Sequence, residues 1–406
     1  MGSSGHIDVE SLPQPNKHQG GLDMENRPLR FEAKRIFGLD LSKKTLKACR
    51  LDEDSGFEKQ NIFDEKMTDD GRHHLASRLR KGDYVAMEGG SSTSFLARYL
   101  MENTEAEIFV LNPCKLHIIF ESACKTDKQD CIKIAKYIRD TNPSNWCLIP
   151  VPTYEETSLR SLINSHISTK QERTRAINQL HAFFNLNGIS FLKKSDLGDS
   201  DRRHDLVDHY FSQDDLRGMQ ARLMLQDIDN IELSADCYED MVRRALLSRP
   251  KESLIWMSIP GVGPLTALAC VAYIGDGKRF STPDQLRNYV GLVPRIDQSG
   301  IKEVIYGVNH YGCMPVRRNI VQAAWSVTKL SFDCRFRQRW KELKASGKKG
   351  QKIAVKVAND MLTIGWTLLK KGELYNGLGD FSYLKRKLRN YKMTAIDSSS
   401  FGECLK

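Results

Sequence analysis

The sequence predicts an α/β protein with a mixed sheet first and helices dominating the remainder. Three observations carry that prediction. Short runs of alternating apolar and polar residues begin at Arg35; apolar residues at helical spacing then alternate with further short apolar runs; and from about residue 157 helical spacing takes over.

The first three runs, RIFGLDLS, TLKACRLD and GFEKQNIFDE, are separated by Ser-Lys and Asp-Ser-Gly turns and read as an antiparallel meander. Thr68, Asp69 and Asp70 then offer N-caps for a helix over HHLASRLRKG, and the strand YVAMEGG follows at once. Ser91 to Thr93 cap a second helix, FLARYLMEN, which leads into the strand EIFVLNP and a long helix around CIKIAKYIRD. The order βββαβαβα is what an RNase H-like sheet requires, with three antiparallel strands followed by parallel strands reached through helices.

Residues 157 to 247 place Leu216, Leu223, Ile231 and Leu246 among many charges, the pattern of a helical hairpin or coiled-coil arm that serves core or oligomer contact. A third, mostly helical region opens at IPGVGPLTA, residues 259–267, and runs to about Tyr375. Gly261, Gly263 and Pro264 there suggest either a helix-hairpin-helix, whose backbone amides hold a phosphate, or a simple tight turn. The tail beyond Tyr375, with Lys385, Arg386 and Lys387, is basic and expected to be loosely held. The polar first residues, opening MGSSGH, read as a disordered tail or cloning remnant. The expected divisions are therefore 1–33, 34–155, 156–250, 251–375 and 376–406.

A chain of 406 residues with 40% hydrophobic content can bury two or three cores. Its 61 Lys plus Arg outweigh 51 Asp plus Glu, and a net charge of +10 favours a polyanionic partner. No apolar run approaches the roughly 20 residues of a membrane span and no signal peptide is evident, so a cytoplasmic protein without a membrane partner is expected. Ten cysteines, none in a CxxC or at zinc spacing with histidines, read as reduced thiols.

Four acids stand out. Asp40 lies near the end of the first strand and Glu88 ends the fourth, strands that are neighbours in an RNase H-like sheet. Asp127 and Asp130 are three residues apart, on one face if the long helix has begun. Four converging carboxylates repel one another unless a cation compensates, and such hard oxygen ligands suit Mg²⁺ or Mn²⁺. A pair of these ions stabilises the attacking and leaving oxygens of a phosphodiester displacement. Each acid taken singly is more simply a solvated surface group or a helix cap.

Beyond this, the chain resembles the insertion-sequence one-ten (IS one-ten, IS eleven-eleven) DEDD transposases, whose relatives include Piv-type DNA invertases and bridge-RNA-guided recombinases. The matching stretches are GLDLSKKTL, AMEGG, KTDKQD with IAKYIRD, RTRAINQL, IPGVGPLTA, IGDGKRFSTPDQLRNYVGLVP, QSG, VRRNIVQAA and KKGQKIAVKVA, in the family's order over about residues 35 to 375. The resemblance implies a RuvC-like N-terminal domain carrying Asp40, Glu88, Asp127 and Asp130, a helical arm, and a C-terminal transposase domain with a serine nucleophile at Ser299, before Gly300. The sequence departs from the family's pattern at Gln298, where a second serine is common; at Asn309, His310, Tyr311 and Gly312, where a Thr-Lys-Arg-Gly run is common; and at Cys131, where alanine is usual.

What the resemblance implies for activity is cutting and rejoining of double-stranded donor and target DNA through a phosphoserine link, directed by a structured non-coding guide RNA. It also implies a homo-oligomer, a dimer assembling to a tetramer, in a prokaryotic, nucleoid-associated setting. Arg173, Arg175, Arg317, Arg318, Lys348, Lys349 and Lys352 are candidate phosphate contacts, beside Gly261 and Gly263; each cation taken singly is more simply an ordinary solvated charge. Three other readings stay open: a site-specific invertase, an RNase H-like nuclease or junction resolvase using water, and a non-catalytic nucleic-acid-binding protein.

Overall fold

The computed structural model describes residues 33–119, 127–299, 302–308 and 312–393. The chain divides into two compact units after Val151.

The first unit is mixed α/β. Strands β1 (Arg35–Leu41), β2 (Thr45–Asp52) and β3 (Gln60–Lys66) form the meander, followed by α1 (Asp69–Arg78), β4 (Asp83–Glu88), α2 (Thr93–Asn103), β5 (Glu107–Leu111), α3 (Pro113–Ile119) and α4 (Asp127–Asp140). The five strands lie in the order β3-β2-β1-β4-β5, with β1–β2 and β2–β3 antiparallel and β1–β4 and β4–β5 parallel. This arrangement is consistent with an RNase H-like fold, and the expected element order is found, with the short α3 added.

Boundaries moved for local reasons. β3 starts at Gln60 rather than Gly56, because Gly56 and Phe57 both adopt positive φ and turn the chain. Thr68 is the residue that caps α1, its hydroxyl accepting from the Gly71 amide, and the helix therefore starts earlier than the apolar spacing suggested. Alternation along the strands divides the core into two layers. Phe37, Leu39, Val85 and Met87 pack with Leu75 and Leu96 on the α1/α2 side, whereas Ile36, Tyr84 and Ala86 pack with Cys131, Ala135 and Ile138 of α4.

The second unit is mainly helical. Helices α5 (Tyr154–Leu186), α6 (Ser200–Tyr210) and α7 (Leu216–Leu247) come first, then α8 (Pro250–Ser258), α9 (Pro264–Ile274) and α10 (Pro283–Val290). A hairpin of β6 (Pro294–Ser299) and β7 (Lys302–Val308) follows, then α11 (Met314–Ser326), α12 (Arg335–Ala345), α13 (Gly350–Lys371) and α14 (Ser382–Asn390). Helix α5 packs along α7, and ion pairs of Arg173 with Glu232 and of Lys170 with Glu239 fix the two helices antiparallel. Arg203, fully buried between α6 and α7, is held by Asp229 and Glu232 at 3.1 and 2.9 Å.

The basic tail is not loosely held as far as Met393, because α14 inserts Leu384 and Leu388 into the core of this unit. Lys387, buried between those leucines, donates from Nζ to the carbonyls of Met257 and Ile259 at the end of α8, 2.8 and 3.1 Å away. Burial lowers its pKa from 10.5 to about 7. An unfolded chain therefore binds a proton at Lys387 that the native chain lacks between those values, and stability gains from rising pH across that window. Chemical denaturation from pH 7 to 10 should show this rise, by up to about tenfold per pH unit in the folding constant, and Lys387→Met should flatten it.

Candidate active site and nucleic-acid surfaces

Strand register brings two of the four acids together. β1 and β4 run parallel with Leu39 opposite Met87, so the next residues, Asp40 and Glu88, sit side by side at the strand ends. Both continue the alternation of Ile36/Tyr84 and Gly38/Ala86, which is the face that α4 covers. Lys47 stands opposite Asp40 on β2. At the end of β4, buried Thr93 donates from its hydroxyl to the Glu88 carbonyl at 2.7 Å and accepts from the Gly90 amide at 2.9 Å. Thr93 thus ties α2 back to the strand end instead of capping its own helix, and the Ser92 side chain makes no cap hydrogen bond either.

Gly38 sets the depth of α4. A Cβ at that position would lie 2.2 Å from the Cys131 carbonyl oxygen and 2.5 Å from the Ala135 nitrogen, so the helix backbone rests directly on β1. Cys131 is fully buried there, and its thiol is pushed up to about 12 by burial first, then by neighbouring Cys49 and Asp40. The first turn of α4 therefore lies in reach of the Asp40 charge, and Cys131 stays a protonated filler. Asp130, half-buried beside it, has Lys133 Nζ at 3.7 Å. Asp127 opens α4, its side chain outside the described part. Among the described residues no three of His, Cys, Asp or Glu are gathered closely enough to hold a metal ion. The described donors are all hard carboxylate oxygens, which is the chemistry a divalent cation such as Mg²⁺ takes.

In the second unit, Ser299 ends β6 opposite Lys302 of β7, and its side chain, Gly300 and residues 309–311 lie outside the described part. The root of this hairpin is built from backbone. A Cβ on Gly312 would lie 2.3 Å from the Gly291 nitrogen, so the two chain segments touch through glycines. The Cys313 amide donates to Tyr289 O at 2.8 Å, Arg317 to Val290 O at 3.4 Å, and Asn359 of α13 to Leu292 O at 3.0 Å. Arg317 and Asn359 thereby brace the hairpin root, a role for Asn359 that no local sequence signal reveals.

The other cations separate by environment. Arg173 bonds to Glu232 and to the Gly198 carbonyl within the helical hairpin, so much of its charge is matched internally. Arg175, Arg318, Lys349 and Lys352 are exposed, and Lys348 is half-buried with Nζ on Ser346 Oγ at 3.1 Å. Gly261 has φ +90°, donates its amide to Tyr383 Oη at 3.3 Å and accepts at its carbonyl from Ser326 Oγ at 3.1 Å. A Cβ there would meet the Ala323 carbonyl oxygen at 2.6 Å, so the fold itself requires this glycine. Gly263 precedes Pro264 at the start of α9 without a side-chain cap and borders a cavity of about 500 Å³ that Lys329 and Arg386 also line.

Residues 37–188 match a DEDD transposase family of the IS110 type, and residues 254–341 match the transposase IS116/IS110/IS902 family. The chain belongs to the IS110 transposase family. The DEDD match spans Asp40 to Asp130, and the second match spans the hairpin that carries Ser299. This IS110-family chain is 21% identical over 348 residues to a transposase for insertion sequence element IS1111A from Coxiella burnetii, covering 84% of this chain and 91% of that one. It is 23% identical over 301 residues to a transposase for insertion sequence element IS1328 from Yersinia enterocolitica, covering 72% and 85%. A pilin gene-inverting protein from Moraxella lacunata is 23% identical over 360 residues, covering 85% of this chain and 98% of its own. Transposases cut and rejoin DNA, and no described helix of this IS110-family chain is long and apolar enough to cross a membrane.

Proposed function

We propose that this chain cuts and rejoins double-stranded DNA with Ser299 as nucleophile and Asp40, Glu88, Asp127 and Asp130 as a metal-holding carboxylate set. The observation that carries it is the register of β1 and β4, which sets Asp40 beside Glu88 on the face covered by α4. The four carboxylates would hold Mg²⁺ or Mn²⁺, which when bound supplies charge stabilisation to a phosphodiester oxygen. Ser299 Oγ attacks the phosphorus, the bond to the departing strand oxygen breaks, and the serine proton passes through solvent to that oxygen, which leaves as a free strand hydroxyl. The phosphoserine link keeps the phosphoester bond, so rejoining needs no external energy. Gel analysis of covalent protein–DNA adducts in wild type and Ser299→Ala tests this.

A structured non-coding guide RNA would choose the sites by base pairing, the protein holding backbone. The near-complete alignment with the pilin gene-inverting protein favours a second reading, site-specific inversion by the same chemistry. Substrates with inverted recombination sites and substrates with insertion-element ends separate the two.

Helix α7 supports assembly with a second copy. Its inner face packs on α5, while Leu216, Met219, Leu223, Gln226, Asn230, Leu233 and Cys237 are all exposed and repeat at alternating three- and four-residue steps. That is the spacing a coiled-coil seam with a polar centre would use, in which Gln226 and Asn230 would fix the register. Leu223→Asp with Leu233→Asp should convert a dimer or larger species to monomer in light scattering, with helicity unchanged, since both leucines are more than 60% exposed.

A further inference from the structure

A second feature of the helical unit has no part in the serine chemistry. Trp325, in the last turn of α11, packs against Trp340 of α12 with ring centroids 4.8 Å apart and planes at 58°. Trp340 is only 8% exposed, whereas Trp325 is 38% exposed. Trp325 is therefore a ring braced from behind and open in front. Gly350, the first residue of α13, makes room for it: a Cβ there would lie 2.7 Å from Trp325 Cη2. The pair opens into a cavity of about 470 Å³ whose described lining includes Arg337, Lys341, Lys344 and Lys348 and no acidic side chain.

The cations are unequally matched. Lys341 pairs with Asp333 at 3.1 Å and Arg337 donates to the Phe332 carbonyl, but among the described residues Lys348 Nζ reaches only Ser346 Oγ and exposed Lys344 has no ion-pair partner. A rigid, half-exposed indole ringed by cations fits a ligand that combines a flat π-face with regularly spaced negative charge. In a duplex the base faces are covered by their neighbours, so only an unstacked nucleotide presents both.

We propose that this groove binds a single-stranded segment of nucleic acid, with one base stacked on Trp325 and its flanking phosphates held by Lys344 and Lys348. The shared chemistry is that of DNA and RNA alike. The inference is independent of Ser299, because binding needs no strand cleavage.

Fluorescence anisotropy of the full chain with labelled single-stranded DNA, single-stranded RNA and duplex DNA of equal length tests it. Trp325→Ala should weaken single-strand binding by about 10- to 100-fold and leave duplex binding nearly unchanged. Trp325→Phe, which keeps a stacking face, should retain most of the affinity. Lys344→Glu, at an exposed site, with Lys348→Glu, at a half-buried one, should weaken single-strand binding and flatten its salt dependence, which decides the matter if Trp325→Ala fails to fold. A preference for RNA over DNA, or the reverse, identifies the source of the strand. Single-strand affinity unchanged in a folded Trp325→Ala, or in the charge-reversed variant, would overturn the proposal. So would an equal loss of duplex affinity, or displacement of the strand by polyglutamate at matched charge, which marks an acidic peptide site. Loss of duplex binding in the wild type would instead count against the DNA-cutting assignment.

Discussion

Ser299→Ala should abolish every covalent protein–DNA adduct and all strand exchange, with DNA binding and helicity intact. Ser299 ends an edge of a two-stranded hairpin whose root is fixed by the Gly291–Gly312 contact and by Asn359, so removing one hydroxyl leaves that root in place. On the scale of other nucleophile deletions the loss is about a millionfold in rate. Denaturing electrophoresis after incubation with end-labelled DNA reads it directly. If a nuclease used water instead, Ser299→Ala would still nick DNA and the serine assignment would fail.

Asp40→Asn is expected to cost about a thousandfold in divalent-cation-dependent cutting, because a metal-bound carboxylate contributes several kcal/mol of charge stabilisation. Glu88→Gln, its neighbour across β1 and β4, should do the same, and the double variant should lose little more than either alone. Isothermal titration with Mn²⁺ supplies a readout apart from catalysis: affinity should fall in each variant. Asp40 is only partly buried and Glu88 is exposed, so neither change should unfold the sheet. Full activity in Asp40→Asn with unchanged Mn²⁺ affinity would remove Asp40 from the site.

The element order of the first unit was legible because strand alternation and helix caps are local signals. The pairing of Asp40 with Glu88 was legible for the same reason, since strand order fixes neighbours and alternation fixes the face. What the sequence hid was non-local. Arg173 looks like a free cation until Glu232, far along the chain, folds back beside it. The KRK run at 385–387 reads as a basic tail because charge dominates its composition, yet Leu384 and Leu388 four residues apart anchor it. The β6–β7 hairpin was missed since PRIDQS carries little apolar alternation and its shape depends on glycines that meet across space. Trp325, Trp340 and Gly350 likewise share no local motif.

Gly38 has a wider meaning for how such a site can change over time. The spacing between the sheet and α4 is set by the missing methyl group, and Asp40 on the strand and Asp130 on the helix belong to the two elements that meet across that gap. A side chain at this position would wedge the two apart by about an ångström, a displacement that can cost about a hundredfold in rate. The acids themselves could all remain. In this architecture activity can be tuned, or silenced, by a residue that has no functional group at all.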